Sequence, residues 1–247
     1  MPPEKVLVLG ASSDLGCELL RRLSRPGVTL LAHYNSSRDK VEALRPELSA
    51  GGARLAAFGA DLSKEADVAR LVGEVKAACG HPDAVVFFPS PRPTPVHFEK
   101  TRWEAAQAHL DIQLKSAFSL LQAFLPEMAR AKAGKVVFVL SAYTLGVPPK
   151  GLAGYVAAKY AVLGLMKALA AEYAGRGVNI NAVSPSMVET RFLSDIPRQV
   201  VEMAAEAHPL KRNAVPKDVA PLIEFLLSDG SAYITGANIP VSGGLEF

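Results

Sequence analysis

The sequence predicts an α/β protein, a doubly wound, seven-stranded parallel sheet with helices on both faces, and three features predict it. Short apolar runs rich in Val, Leu and Phe alternate with longer segments whose apolar residues stand three and four apart, the pattern of repeated strand–helix–strand units. The runs are apolar at almost every position, as strands become when helices cover both faces of a sheet. Apolar residues make up 49% of the 247 and charged residues 21%, a composition that can bury a sizeable core and is unlike that of a disordered chain. This length is within reach of one large unit, so a single domain is expected over residues 1–247.

The first strand is expected at Lys5–Leu9. Its end, Leu9-Gly10-Ala11-Ser12-Ser13-Asp14-Leu15-Gly16, leads into a helical pattern at Leu15–Leu23. Gly10 permits a tight turn and Gly16 allows close packing or approach to a phosphate. The helix N-terminus directs N–H groups and a partial positive charge at an anion. Two glycines six apart are weak evidence alone; their place directly after the first strand gives them weight. Strands follow at Thr29–Tyr34, Arg54–Gly59 and Ala84–Phe88, with helical patterns at Lys40–Ala50 and Ala66–Ala78 between them. Pro89, Pro91, Pro93 and Pro95 then form a rigid loop before a long helical pattern at Ala105–Ala131. A strand at Lys135–Leu140, a helix at Leu152–Ala174 and a strand at Asn179–Val183 come next. An insertion at Met187–Pro216 precedes the helix at Lys217–Leu227 and the last strand at Asn238–Val241. Both irregular segments follow strand carboxyl ends, where open α/β sheets bind ligands, so they are candidate pocket walls, the second a lid at about 187–215. Ordinary loop variation is the bland alternative.

Composition also excludes classes of function. A net charge of +3 from 27 basic and 24 acidic residues is too small and too mixed for a nucleic-acid partner. No apolar stretch approaches the ~18–20 residues of a membrane span, and the N-terminus shows no ordered export signal, so neither membrane insertion nor secretion is expected. Cys17 and Cys79 lack CxxC spacing and a nearby His cluster, which argues against a metal site or a disulfide framework and suits a reducing cytoplasm.

Tyr155-Val-Ala-Ala-Lys159 lies in a helical segment, where a spacing of four puts both side chains on one face. An ammonium beside a phenol favours phenolate and so is expected to lower the Tyr pKa from ~10 toward operating pH, making it a usable acid or base. Chance alone supplies about 0.3 such pairs in a chain of this composition, so the surrounding sequence has to decide. It includes Asp61-Leu62 after the third strand, Asn181-Ala-Val-Ser-Pro185 after the sixth, and Arg212 through Asp218-Val-Ala220. Phe225-Leu-Leu-Ser-Asp229 and Tyr233-Ile-Thr-Gly236 to Val241-Ser-Gly-Gly244 complete the series. In this order, with the glycine turn, these segments resemble the short-chain dehydrogenase/reductase family, in particular its 3-oxoacyl-[acyl-carrier-protein] reductase-like members, nearly end to end.

The resemblance implies a Rossmann fold and an NAD(P)-dependent oxidoreductase that reduces a carbonyl to an alcohol. The implied substrate is a 3-oxoacyl thioester, on acyl carrier protein or CoA, reduced to the 3-hydroxyacyl product in fatty acid biosynthesis. It makes Tyr155 the proton donor, Lys159 the group that binds ribose and tunes the tyrosine, and Gly10, Ser12, Ser13, Leu15, Gly16, Asp61, Leu62, Val188 and Thr190 cofactor contacts. The second strand ends at His33-Tyr34-Asn35-Ser36-Ser37-Arg38 with no acid at its tip, where an NAD(H) site places a carboxylate on the ribose. Asn35, Ser36 and Arg38 are therefore expected to hold a 2′-phosphate, and NADP(H) is expected over NAD(H). Family members assemble as dimers or tetramers, and Ala157, Ala161, Gly164 and Ala168 allow close helix packing in a homodimer or homotetramer. Arg130, Lys132 and Arg176 are expected near the pocket mouth as docking charges for an acidic carrier protein, or simply as helix-end charges. Tyr143, Met187, Phe192 and Leu193 are candidate pocket walls.

Several positions depart from the family. Thirteen residues before Tyr155, the usual spacing of the catalytic serine, stands Ala142, whereas counting along the fifth strand gives Ser141. The strand end is tied to the sheet while a loop with Pro148-Pro149 absorbs an extra residue, so Ser141 is preferred. Gln113 replaces the asparagine that anchors a proton-relay water, retaining the amide with one more methylene. Asp14 replaces the middle glycine of the turn, Phe87-Phe-Pro-Ser90 replaces an Asn-Asn-Ala-Gly segment, and Ser186 replaces a glycine. Together they raise an alternative: a catalytically degenerate or partner-dependent subunit of a hetero-oligomer.

Overall fold

The computed structural model describes residues 2–246, so the first and last positions of the expected unit lie outside the described residues. Seven strands form one sheet: β1 (Lys5–Leu9), β2 (Thr29–Tyr34), β3 (Arg54–Gly59), β4 (Ala84–Phe87), β5 (Gly134–Val139), β6 (Val178–Pro185) and β7 (Asn238–Val241). Every neighbouring pair is parallel, in the order β3-β2-β1-β4-β5-β6-β7. The order reverses between β1 and β4, and a crevice opens at the carboxyl ends of these strands.

The helices are α1 (Asp14–Leu23), α2 (Arg38–Glu42), α3 (Arg45–Ala50), α4 (Glu65–Cys79), α5 (Trp103–Leu110), α6 (Ser116–Ala131), α7 (Ala153–Tyr173), α8 (Arg198–Ala207) and α9 (Pro216–Leu227). Because strand side chains alternate, Leu7, Leu9, Val85, Phe87, Val136 and Phe138 face α4, α6 and α7, while Val6, Val8, Leu30, Val86 and Val137 face α1, α3 and α9. Both faces are covered, which is why the strands read as unbroken apolar runs.

Three expected elements come out differently. The helix expected over Lys40–Ala50 is two short ones, because Pro46 lies one turn after Glu42 and its ring opposes that residue's carbonyl. The long helix over Ala105–Ala131 is interrupted by a π-helical turn at Asp111–Lys115, invisible in the sequence because the apolar residues continue through it. The insertion contains α8, whose residues are exposed or only partly buried. The carboxyl-terminal motif residues are structural ties. Asn181 Nδ2 donates to the Ile234 carbonyl at 2.9 Å and its Oδ1 accepts from Ala237 N–H at 3.0 Å, setting the approach to β7. Arg212 pairs with Asp218 at 2.6 Å, and Asp218 accepts the Val215 N–H at the start of α9.

Candidate active site

The glycine turn is built as its sequence requires. Gly10 has φ +76°, a conformation that favours glycine, and a Cβ on Gly16 would stand 2.7 Å from the Gly10 carbonyl oxygen. Ser13 caps α1: its Oγ accepts from Gly16 N–H at 3.0 Å and donates to the Gly10 carbonyl at 2.8 Å. Asp14, in the first turn of α1, accepts the Arg191 backbone N–H at 2.7 Å and the Arg191 guanidinium Nε at 2.7 Å. Burial alone pushes the Asp14 carboxyl up, but the Arg191 hydrogen bonds and charge together hold it below its ordinary value. Its negative charge is thus compensated beside the turn.

Behind the turn stands a histidine to which the sequence argument gave no role. His33 is 2% exposed; its Nδ1 accepts the Gly10 N–H at 3.1 Å and its Nε2–H donates to the Ala60 carbonyl at 3.0 Å. The neutral ring therefore bolts together the carboxyl ends of β1, β2 and β3. Burial holds its pKa below the ordinary value, the Ala60 bond only partly opposing this.

A cavity of about 820 Å³ runs from this turn along the strand ends. Gly10, Ser12, Ser13, Leu15, Asn35, Asp61 and Leu62 line one end, and Ser141, Tyr155, Lys159, Val188 and Thr190 the other. Gly16 lies beneath the turn rather than in the wall, held by packing. Ser36 and Arg38 are not brought to the wall: Arg38 Nε faces Glu42 at 3.9 Å with its side chain 69% exposed. Lys40 lines the cavity instead and adds its positive charge near Asp14. The Asp61 carboxylate accepts the Ser63 N–H and hydroxyl and lies 3.3 Å from Lys64 Nζ.

Ser141 follows β5, with its Oγ accepting the Tyr143 N–H at 3.3 Å, and it lines the cavity with Tyr155. Ser141, the residue obtained by counting along the strand, lines the cavity, and Ala142 does not. Lys159, 4% exposed one turn after Tyr155, donates from Nζ to the Val139 carbonyl at 2.9 Å, and Nζ stands 5.6 Å from the Tyr155 ring centroid. The expectation that this ammonium lowers the tyrosine pKa is not met. Burial raises Tyr155 to about 12, against a smaller downward pull from Ser141, and burial lowers Lys159 to about 7. Tyr155 is thus protonated at neutral pH, the state of a proton donor. Gln113 lies in the π-helical turn, and Gln113 Nε2 and His109 Nδ1 are 3.2 Å apart. The His109 ring meets Tyr155 edge-on, centroids 5.6 Å apart.

The apolar Phe87-Phe-Pro-Ser90 segment makes a different floor from the amide-rich family version. Phe87 stacks on Phe138 with centroids 4.8 Å apart, and Phe88 and Pro89 pack over Gly10. Tyr143, Met187, Phe192 and Leu193 all line the cavity. The 187–215 segment is strapped across it by Arg191 on Asp14 and by Arg92 of the proline loop on Asp195 at 2.9 Å. Arg130, Lys132 and Arg176 correct another expectation: they precede β5 and β6, at the sheet edge opposite the crevice within the chain. Arg130 pairs with Glu127 at 2.8 Å, and Arg176 lies over the Tyr173 ring.

The volume, the glycine cradle that a Cβ would fill, the helix N-terminus and the polar wall at both ends fit a dinucleotide. Among the described residues no group of three or more His, Cys, Asp or Glu is placed to hold a metal ion, and no helix is long and apolar enough to cross a membrane.

Comparison with known proteins agrees with this architecture. The family model described as enoyl-(acyl carrier protein) reductase matches residues 10–246. The chain is 31% identical over 245 residues to the 3-oxoacyl-[acyl-carrier-protein] reductase FabG of Staphylococcus epidermidis, covering 98% of each. It is 34% identical to oxidoreductase UcpA of Salmonella typhimurium, covering 96% of this chain and 92% of that one. The crystal structure of a putative NAD(P)-dependent gluconate 5-dehydrogenase from Beutenbergia cavernae with bound NADP is 29% identical, with a TM-score of 0.89 over 98% of this chain and 96% of that one. On sequence, fold and site together, the chain belongs to the short-chain dehydrogenase/reductase family of NAD(P)-dependent oxidoreductases.

Proposed function

We propose that the protein reduces a carbonyl to an alcohol with NADPH, a 3-oxoacyl thioester being the substrate class. The observation that carries the reaction type is the convergence of Ser141, Tyr155 and Lys159 on one cavity wall, with Lys159 Nζ 5.6 Å from the Tyr155 ring centroid. A bound nicotinamide dinucleotide supplies the hydride. Tyr155, protonated at neutral pH, donates the proton to the developing alkoxide, and Ser141 hydrogen-bonds the same oxygen. Lys159, with its pKa near 7, holds the ribose hydroxyls and exchanges a proton at neutral pH, while Gln113 positions the water that resupplies it. Two of the departures suggesting a degenerate subunit have local partners: Arg191 compensates Asp14, and Phe87 stacks on Phe138 where the family has amides.

NADPH is favoured over NADH because the tip of β2 has no acid and Lys40 brings a cation to the cavity that Asn35 also lines. The thioester assignment is supported by the FabG relative and by the apolar far wall of Tyr143, Met187, Phe192 and Leu193. We take residues 187–215 as the lid of a single domain. Ala157, Gly164 and Ala168, all exposed on the outer face of α7, suit pairing of two copies into a homo-oligomer. The decisive experiment follows oxidation of NADPH and NADH against small ketones and against 3-oxoacyl and 2-enoyl thioesters of CoA and acyl carrier protein. Turnover of the 3-oxoacyl substrates with NADPH is expected, and Tyr155→Phe should lower it about 10²- to 10⁴-fold with cofactor affinity retained. Reduction of enoyl substrates alone, preference for NADH, or activity only after mixing with a second reductase would overturn the corresponding part.

A further inference from the structure

Gln113 is 6% exposed, and its carbonyl oxygen Oε1 is buried with no hydrogen-bond partner among the described residues. Beside it lies a small chamber of about 10 Å³ adjoining the main cavity, lined by Gln113, Lys159, Val139 and the apolar Phe87, Phe138 and Val162. That is about the space of one water molecule, and Lys159 with the Gln113 carbonyl offers such a water polar partners. A carboxamide has a donor end and an acceptor end, so something must decide which end faces the chamber.

The other end of this amide stands 3.2 Å from His109 Nδ1. His109 is 9% exposed on the preceding turn, and the π-helical turn at Asp111–Lys115 sets the geometry between the two side chains. The titratable groups facing the imidazole are Tyr155, edge-on to it, and Lys159, both from α7. On its own side Asp111 is engaged by the Gln107 amide at 2.8 Å. Burial, reinforced by the Lys159 charge, holds His109 neutral.

We propose that His109 is a positioning residue for proton supply: its bare Nδ1 accepts the Gln113 Nε2–H and thereby turns the Gln113 carbonyl toward the one-water chamber beside Lys159. The water then gives one O–H to Gln113 Oε1 and turns its remaining groups to Lys159, which needs a proton back after each turnover. Protonation of His109 makes Nδ1 a donor, inverts the amide and points its NH₂ at the chamber, where it faces the Lys159 ammonium and the water loses its acceptor. This inference rests on the carbonyl-reduction reading above.

The test uses His109→Phe, which keeps a ring against Tyr155 but has no acceptor, and His109→Asn, whose Oδ1 replaces Nδ1. His109→Phe should lower kcat about tenfold and enlarge its solvent deuterium effect, with cofactor Kd and substrate KM changed less than about twofold. His109→Asn should restore most of kcat and remove the acid-side loss of activity that the wild type shows as pH falls through the His109 pKa. Wild-type kcat in His109→Phe, or equal damage in both variants, overturns the proposal. Imidazole ¹⁵N NMR supplies a readout independent of activity: the Nε2–H tautomer with an accepting Nδ1 is expected, altered in Gln113→Leu. An Nδ1–H tautomer refutes the proposal whether or not a substrate is turned over. Failure of the wild type and Tyr155→Phe to differ on any carbonyl would instead sink the functional reading.

Discussion

His33 makes a quantitative test of how the dinucleotide cradle is held. His33→Leu retains an apolar side chain between β1 and β3 but removes the acceptor of the Gly10 N–H and the donor to the Ala60 carbonyl, bonds of 3.1 and 3.0 Å. At 2% exposure water does not readily replace them. Each buried group left unpaired costs about 1–3 kcal/mol, so the variant should lose about 4 kcal/mol. For a chain of this size that corresponds to a fall of about 8–16 °C in the unfolding midpoint. The second signature is pH. Burial lowers the folded-state pKa of His33 below the ordinary imidazole value of about 6.5, so its contribution is fully present above that value and is lost as pH falls through the folded value. The gap between wild type and His33→Leu should therefore narrow on acidification, read by urea unfolding between about pH 8 and about pH 5. NADPH affinity, measured by fluorescence titration, should weaken with the loosened turn, and His33→Gln should lie between the two. A loss below about 1 kcal/mol at neutral pH, less than one unpaired buried group costs, would refute this account of the cradle.

Gly16→Ala places a Cβ 2.7 Å from the Gly10 oxygen and 2.8 Å from the Ala11 Cα, so both thermal stability and NADPH affinity should fall sharply; a normal titration curve would contradict the close packing described here. Arg191→Ala removes the strap to Asp14 from a half-exposed position, where such pairs contribute about 0–1 kcal/mol, so the unfolding midpoint should barely move. Dissociation of bound NADPH, followed by stopped flow, should nevertheless quicken several-fold, and an unchanged rate would remove the lid role. Lys40→Met should lower the NADPH-to-NADH affinity ratio about tenfold or more, as expected for losing a charge-assisted phosphate contact; isothermal titration with each cofactor checks it.

By itself the sequence determined the order and type of nearly every sheet element. Lys5–Leu9, Thr29–Tyr34, Arg54–Gly59 and Asn238–Val241 are strands to the residue, because a sheet covered on both faces writes a continuous apolar run between polar turns. The glycine turn and the Tyr155/Lys159 pair were legible for a similar reason: their chemistry depends on spacing along one chain segment. The tertiary structure decided what depends on distant segments meeting. His33 looks like an ordinary strand residue until Gly10 and Ala60 close on it, and Asp14 looks like a misplaced anion until Arg191, 177 residues away, reaches it. Lys40 in place of Arg38, the edge on which Arg130 and Arg176 stand, and the protonated Tyr155 were likewise hidden. Burial and sheet geometry set which charges reach the crevice and which form of an acid survives there, and neither is encoded in the local order of residues.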